Sequence, residues 1–309
     1  MEDFVHLHVH TNYSILDGQS KVTRLVDKAI ADGMKGMAIT DHGVMFGIKE
    51  FSDYCTKINK ERKAKGEEPF KPIFGCEMYV ARRSMHDKEK DKHDNSGYHL
   101  IVLAKNYNGY KNLIKLVSHA WVDGYYYKPR TDREELEKYH EDLIVCSACI
   151  AGEVPNKIIR GDIEGAREAC EWYHRVFGDD YYLELQRHEV KAPTLVANRE
   201  AYPLQQKANK VLMQFAKEYG VKLVCTNDCH FEDKETAEAH DHLLCLSTNE
   251  DLDDPKRMRY SKQEWFKTRQ EMNEVFSDVP EAMANTLEIL DKIETYSIDH
   301  GPIMPFLDR

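Results

Sequence analysis

Apolar residues along this chain fall into short runs, separated by longer stretches in which they recur every three or four positions. The runs lie at residues 4–9, 36–40, 72–79, 99–104, 143–147, 181–186 and 222–226, and they read as strands. The clearest helical pattern covers residues 20–32, with Val22, Leu25, Val26, Ala29 and Ile30 on one face, Ser20 as the expected N-cap and Gly33 as the stop. Further helical patterns cover 47–63, 109–120, 162–177 and 204–220. Strands separated by helices predict a parallel sheet, because parallel neighbours need crossover connections. An α/β fold follows, with a closed (β/α) barrel of roughly 250 residues as the favoured architecture and an open doubly wound sheet as the alternative. Two regions fall outside the alternation. Residues 84–97 are rich in Lys, Asp and His, with Met85 as the one apolar side chain, and predict a mobile loop. Beyond Asp278 one helix is expected at 280–293, then an irregular end, 296–309, with Pro302 and Pro305. That end reads as the start of something longer.

Composition narrows the class. With 309 residues, 41% hydrophobic and 31% charged, the chain can bury one large core under a well-hydrated surface. It has no run of about 18 apolar residues of the kind that spans a membrane, and its first residues lack a basic segment followed by an apolar one. The default expectation is a cytoplasmic protein. The net charge of −11 argues against a general grip on nucleic acid, although divalent ions supply local positive charge that residue counts omit. Eight cysteines in such a chain read as reduced thiols, and fifteen histidines make metal ligation a leading possibility.

The chemistry-bearing motifs sit at the ends of the predicted strands. His6, His8 and His10 alternate along the first and should share a face. A solvated edge strand is the plainer reading. Thr40-Asp41-His42-Gly43 closes the second strand, where barrel enzymes place chemistry; a simple turn capped by Asp41 explains it equally well. Gly75-Cys76-Glu77 adds a carboxylate, and Thr226-Asn227-Asp228-Cys229-His230 offers a carboxylate and an imidazole two residues apart. The pair Cys146 and Cys149, with Cys225 and Cys229, raises the rival of a four-cysteine zinc site. Against it, the offset of three sends Cys146 and Cys149 to opposite faces, leaving Cys149 as a single thiolate ligand.

Together, His8-x-His10-Thr11, Thr40-Asp41-His42-Gly43, Gly75-x-Glu77 and Asp228-x-His230 resemble the motifs of the polymerase-and-histidinol-phosphatase (PHP) superfamily. The stretches at 4–18, 127–132 and 147–153 resemble most the PHP domains at the N-termini of bacterial replicative DNA polymerase III alpha subunits. The resemblance implies a distorted seven-stranded (β/α)7 barrel over residues 1–280, with 281–309 beginning a following polymerase region. It also implies three divalent metal ions, zinc before manganese or iron. His8, His10, Glu77 and Asp228 would hold the first, with Glu77 bridging to a second held by His99 and Cys149. Asp17, His42 and His230 would hold the third. Asp228, Glu77 and His10 would carry the catalysis. His99 is awkward, since it falls at the start of its strand. His6 is expected to make a buried hydrogen bond beneath the site.

The implied activity is phosphodiester hydrolysis, as a 3′→5′ exonuclease on a DNA primer end, with Lys128 and Arg130 contacting the DNA backbone. The remainder of an alpha chain and other replisome proteins would be partners. A metal-stabilised scaffold with little turnover is one alternative, and a free-standing phosphatase acting on a small ester such as histidinol phosphate is another. Polymerisation itself is not expected, since no paired-aspartate motif stands near the C-terminus.

Overall fold

The computed structural model describes residues 2–190 and 200–304. Its strands are β1 (Gly36–Ile39), β2 (Lys71–Ala81), β3 (Gly97–Ala104), β4 (Arg130–Thr131), β5 (Leu143–Cys146), β6 (Tyr181–Leu185) and β7 (Lys222–Cys225). Its helices are α1 (Val22–Ala31), α2 (Ile48–Ala64), α3 (Tyr107–Val122), α4 (Arg133–Lys138), α5 (Glu153–Arg160), α6 (Ile163–Phe177), α7 (Ala201–Tyr219), α8 (Ala237–Thr248), α9 (Arg269–Val275) and α10 (Pro280–Lys292). The sheet runs β1-β2-β3-β5-β6-β7, with β4 paired to the far end of β2.

The N-terminal segment closes this sheet into a distorted barrel. On one side the amides of Ala38 and Thr40 donate to His6 O and Val9 O, both at 2.8 Å. On the other, Cys229 N donates to His8 O and His10 N to Cys229 O. The expected first strand, 4–9, is nevertheless an extended segment rather than a regular strand. Val9 N donates to the Thr40 hydroxyl at 2.9 Å, so a side chain takes the place of a backbone acceptor in the ladder.

An all-parallel sheet is not what forms. β3 runs antiparallel to both β2 and β5, while the β1–β2, β5–β6 and β6–β7 pairs are parallel. The β2–β3 connection, residues 82–96, holds only a three-residue helical turn at Lys90–Lys92, too little for a crossover, so the chain can only turn back. The reversal places His99, at the start of β3, opposite Tyr79 near the C-terminal end of β2. His99 therefore reaches the same end of the barrel as the other motifs.

The connecting loop, where a mobile segment was expected, packs around buried polar groups. Asp94 is buried and accepts from Arg83 Nε at 3.1 Å and Glu89 N at 2.8 Å. Arg130 lies beneath the loop with no exposure, donating from Nε to Gly124 O (3.0 Å), from Nη1 to Asp94 O (2.8 Å) and from Nη2 to Met85 O (2.7 Å).

Val22, Leu25, Val26 and Ala29 of α1 enter the core as their spacing predicts. Its N-cap is Lys21 rather than Ser20, whose buried hydroxyl makes no capping bond, whereas Gly33, at φ +79°, stops the helix. Helix α10 packs Met283, Thr286, Ile289 and Leu290 against the barrel, and Ile293 belongs to the same core. Residue 280 therefore marks no break in packing. Of the expected irregular end, residues 305–309 lie outside the described residues. No helix among the described residues is long and apolar enough to cross a membrane.

Candidate metal centre

Nine side chains from seven places in the sequence meet at the end of the barrel where the parallel strands finish. Each has a donor atom within 3.6 Å of another. His8 Nε2 lies 3.0 Å from Asp228 Oδ1 and 3.3 Å from Glu77 Oε1, and His10 Nε2 lies 3.3 Å from Asp228 Oδ1. Glu77 is central: its oxygens are 2.5 Å from His42 Nδ1, 2.9 Å from His99 Nδ1 and 3.6 Å from His10 Nε2. Cys149 Sγ is 3.6 Å from His99 Nδ1. Asp17 Oδ2 is 2.6 Å from His42 Nε2 and 3.5 Å from His230 Nε2. Three triads result, His8, His10 and Asp228; Glu77, His99 and Cys149; and His10, His42 and His230, the first and last sharing His10.

Backbone strain helps aim these groups. Asp228 itself, Leu16 before Asp17 and Ala148 before Cys149 all have positive φ, at 48°, 62° and 61°. Non-glycine residues hold such angles only where the surroundings enforce them. Gly18, after Asp17, sits so close to the backbone that a Cβ there would lie 2.0 Å from Thr11 O.

Hydrogen bonds on the outer nitrogens fix the rings. His8 Nδ1 donates to Glu184 Oε1 at 2.7 Å, which leaves Nε2 facing the cluster. The same carboxylate accepts from Ala148 N and Gln186 Nε2. His10 Nδ1 donates to Ser14 Oγ, which donates to the buried Asp41. Asp41 also accepts from Thr11 N, so it organises this turn and is not itself a member of the cluster. His230 Nδ1 donates to Asp228 O, and His240 Nε2 donates to Asp17 O. The Tyr260 hydroxyl lies 3.2 Å from Asp17 Oδ1 and 3.3 Å from His230 Nε2. Glu184, Ser14, His240 and Tyr260 were not singled out from the sequence. Glu184 alone left a trace there, as one carboxylate in an otherwise apolar run.

His6 stands apart, with Nε2 2.7 Å from Lys267 O and its ring packed on Phe266. Cys146 and Cys225 are buried, Cys225 against Met283, and Cys229 lies against His6, so these thiols do not assemble the four-cysteine site. Lys128 is exposed, with Nζ 5.4 Å from the centre of the Tyr79 ring. Arg130 is not available for a DNA contact, because its guanidinium is wholly buried and donates to three backbone carbonyls.

The electrostatics suit cations. Burial opposes ionisation of Glu77 and Asp228, yet the surrounding imidazoles outweigh it and hold both well below the usual carboxylate range. Burial also opposes protonation of His42, but Glu77 and Asp17 overcome it and push its pKa up to about 10. His230 rises to about 9 against burial, through Asp17 and Asp228. Burial, with His42 and His230 as neighbours, drives His10 down to about 3. Burial pushes the Cys149 thiol up. Cations entering here would displace protons, as metal binding to His and Cys requires.

The residues fit a metal centre on an independent count. His42 Nδ1, Glu77 Oε2 and Asp228 Oδ1 are buried, and their close neighbours are one another and the other donors, His42 Nδ1 facing Glu77 Oε2 at 2.5 Å and Asp228 Oδ1 facing His8 Nε2 at 3.0 Å, without a hydrogen bond of good geometry. Donor atoms crowded this closely, with lone pairs aimed at one another and no hydrogen bond that fits, are explained if they are ligand atoms. Imidazole, thiolate and carboxylate together suit borderline divalent ions such as zinc. Beside the cluster opens a cavity of about 370 Å³, walled by Gln186, His188, Gln205, Arg259 and Tyr260.

A barrel of this kind with converging His, Asp, Glu and Cys donors is the frame of a metal-binding α/β domain. The chain belongs to the PHP domain family, whose profile matches residues 6–188. It is 41% identical over 304 residues to the DNA polymerase III subunit alpha of Borreliella burgdorferi, a match covering 98% of this chain and 25% of that protein. Identity to the same subunit is 39% in Treponema pallidum, over 98% of this chain and 24% of the relative. In Thermus aquaticus it is 38%, over 93% and 22%. The chain thus spans about a quarter of the length of the curated relatives it matches. Among solved structures, one described as a putative metal-dependent phosphoesterase from Bifidobacterium adolescentis aligns with a TM-score of 0.42 at 14% identity, covering 74% of this chain and 88% of that one.

Proposed function

We propose that this chain is the PHP domain of a DNA polymerase III alpha subunit and that its donor cluster hydrolyses phosphodiesters, removing nucleotides from a primer 3′ end. The observation that carries this reading is the convergence of nine donor side chains, in which His42 Nδ1, Glu77 Oε2 and Asp228 Oδ1 are buried with other donors of the cluster as their close neighbours. The family match and the polymerase relatives supply the nucleic-acid context.

His8, His10, Glu77 and Asp228 would hold one divalent ion, Glu77, His99 and Cys149 a second, and Asp17, His42 and His230 a third, zinc being the best fit to the donors. When bound, such ions supply Lewis acidity at the phosphoryl oxygens and lower the pKa of water to near neutrality. Glu77 lies between the triads, where one carboxylate can be shared. Asp228 stands between His8 and His10, and the Ser14–Asp41 relay holds His10 in the orientation that turns Nε2 inward. The Tyr260 hydroxyl, on the cavity wall, donates to Asp17 Oδ1 and braces that carboxylate beside His230. Lys128 at the rim can meet the following phosphate as a point charge.

The test is to load the purified chain with zinc or manganese and offer it a primer with a mismatched 3′ end. Stepwise shortening that Asp228→Asn abolishes is expected. A metal-loaded chain that leaves the primer intact, or shortening unaffected by Asp228→Asn, refutes the reading. A chain that only gains thermal stability on metal loading would be the scaffold instead.

A further inference from the structure

The region just outside the metal centre carries large aromatic side chains that the core does not use. Trp121, Tyr125 and Tyr127 are 43%, 48% and 57% exposed. Trp121 and Tyr125 lie nearly parallel, with centroids 5.5 Å apart and planes 20° from one another. This shelf is tied to the site. Trp121 Nε1 donates to Gly43 O at 2.8 Å, and Gly43 follows His42. Pro129 and Tyr79 pack so tightly on Gly43 that an added Cβ would lie 2.8 Å from Pro129 Cγ. Lys128 lies over Tyr79, whose ring is 6.3 Å from that of His42 and 5.2 Å from that of His99. Shelf, ammonium and donor cluster therefore form one continuous path.

The shelf is also anchored from below. Tyr127 keeps a positive φ of 63°, a costly conformation for an aromatic residue. Tyr126 stands perpendicular to Tyr127 and packs under the Arg130 guanidinium, which is fixed by its three carbonyls.

We infer that Trp121, Tyr125 and Tyr127 form a stacking platform for the bases of a single-stranded nucleic-acid 3′ segment, with Lys128 taking the phosphate where the strand turns into the metal centre. This rests on the phosphodiesterase reading above for the site it feeds, and adds the strand form that the site accepts. Flat, exposed π faces with one adjacent cation are what sequence-tolerant binding of single strands uses. The net charge of −11 makes stacking, rather than a broad basic field, the means by which this chain can hold a polyanion. A duplex end offers its bases already stacked and paired, so a single-stranded or frayed terminus is the better occupant.

The test reads binding apart from turnover. Asp228→Asn chain is titrated into a fluorescein-labelled oligothymidylate, and anisotropy gives the affinity. A Trp121→Ala/Tyr125→Ala chain in the same background should bind at least tenfold more weakly, and Trp121→Phe/Tyr125→Phe should recover most of the loss. An abasic phosphodiester strand should bind wild-type and platform-deleted chains alike. Tyr125→Ala alone, which leaves the Trp121–Gly43 bond intact, should weaken binding severalfold and guards against misfolding of the double variant. Undiminished affinity in the alanine variants, or an equal loss on the abasic strand, overturns the platform. If wild type cleaves no primer yet the affinity pattern holds, the platform stands and the hydrolytic reading falls. If wild type cleaves and the alanine variants keep its kcat/KM on single strands, the platform falls alone. Failure of the D228N chain to bind single strands at all would leave the shelf to a polypeptide neighbour and refute the proposal.

Discussion

Replacing Arg130 by Lys separates two roles that a basic residue can have. On a DNA-contacting surface the exchange keeps the point charge and should barely alter stability, since substitutions at such positions fall within about ±0.5 kcal/mol. In this fold Arg130 is wholly buried and its guanidinium satisfies three carbonyls, Gly124 O from the segment before β4 and Asp94 O and Met85 O from the β2–β3 loop. A lysine ammonium has no planar fork and cannot span all three. Hydrogen bonds to charged groups contribute about 1.5–3 kcal/mol each. Losing two of the three, with partial relaxation, predicts a destabilisation of about 3–5 kcal/mol. Equilibrium urea unfolding measures it directly, as a lowered midpoint at unchanged slope. A variant as stable as wild type, with oligonucleotide affinity reduced instead, would refute the buried-anchor account and return Arg130 to the surface role.

Three further perturbations probe the supports of the site. Glu184→Gln keeps the shape but removes the charge that holds His8 Nδ1, so metal affinity should fall roughly 10- to 100-fold, as is usual for partners of ligating histidines. Competition with a chelating dye reads this, and an unchanged affinity would show that Glu184 does not orient His8. Gly18→Ala places a Cβ against Thr11 O and must displace the turn that carries Asp17, so metal bound per chain should drop; full metal content by elemental analysis would refute the argument. Lys267 is held by burial at a pKa of about 8, below its ordinary 10.5. Between those values the unfolded chain binds more protons than the folded one, so stability should rise with pH across pH 8 to 10.5, by on the order of 3 kcal/mol. Lys267→Met should abolish that rise, and identical pH profiles for the two chains would contradict it.

What was legible in the sequence was local. The alternation at residues 6–10 places His8 and His10 on one face, and polar motifs closing apolar runs mark the end of the barrel where the donors gather. Strand direction was not local. The segment at 99–104 was readable as a strand, but its reversal follows from the lack of a crossover helix in residues 82–96. The same polar composition that predicted a loop there was the available signal. The supports of the site were least legible. Glu184 meets His8 across 176 positions, His240 meets Asp17 across 223, and Tyr260 meets Asp17 across 243. Each is defined by closure of the barrel, which brings the N-terminal segment against β6 and against the chain that follows β7, and no periodicity within a window can encode that.

The tripeptide Lys128-Pro129-Arg130 shows why charge alone misleads. Two cations two positions apart look alike in sequence, yet one is exposed at the rim and the other has no exposed surface. The difference is topological. Arg130 begins β4 and pairs with Tyr79 of β2, which carries its side chain inward beneath the β2–β3 loop, whereas Lys128 precedes the strand. The neighbours of Arg130 gave the hint, since Thr131 and Asp132 are polar residues that are also buried here, with Asp132 capping α4 and accepting from Met85 N. A buried cation is costly unless fully hydrogen-bonded, and the loop carbonyls at Met85 and Asp94 are what make this one tolerable. Arg130 thereby joins the polar loop between β2 and β3 to the aromatic segment at 121–127. The rim of the metal centre owes its shape to a residue that never reaches it.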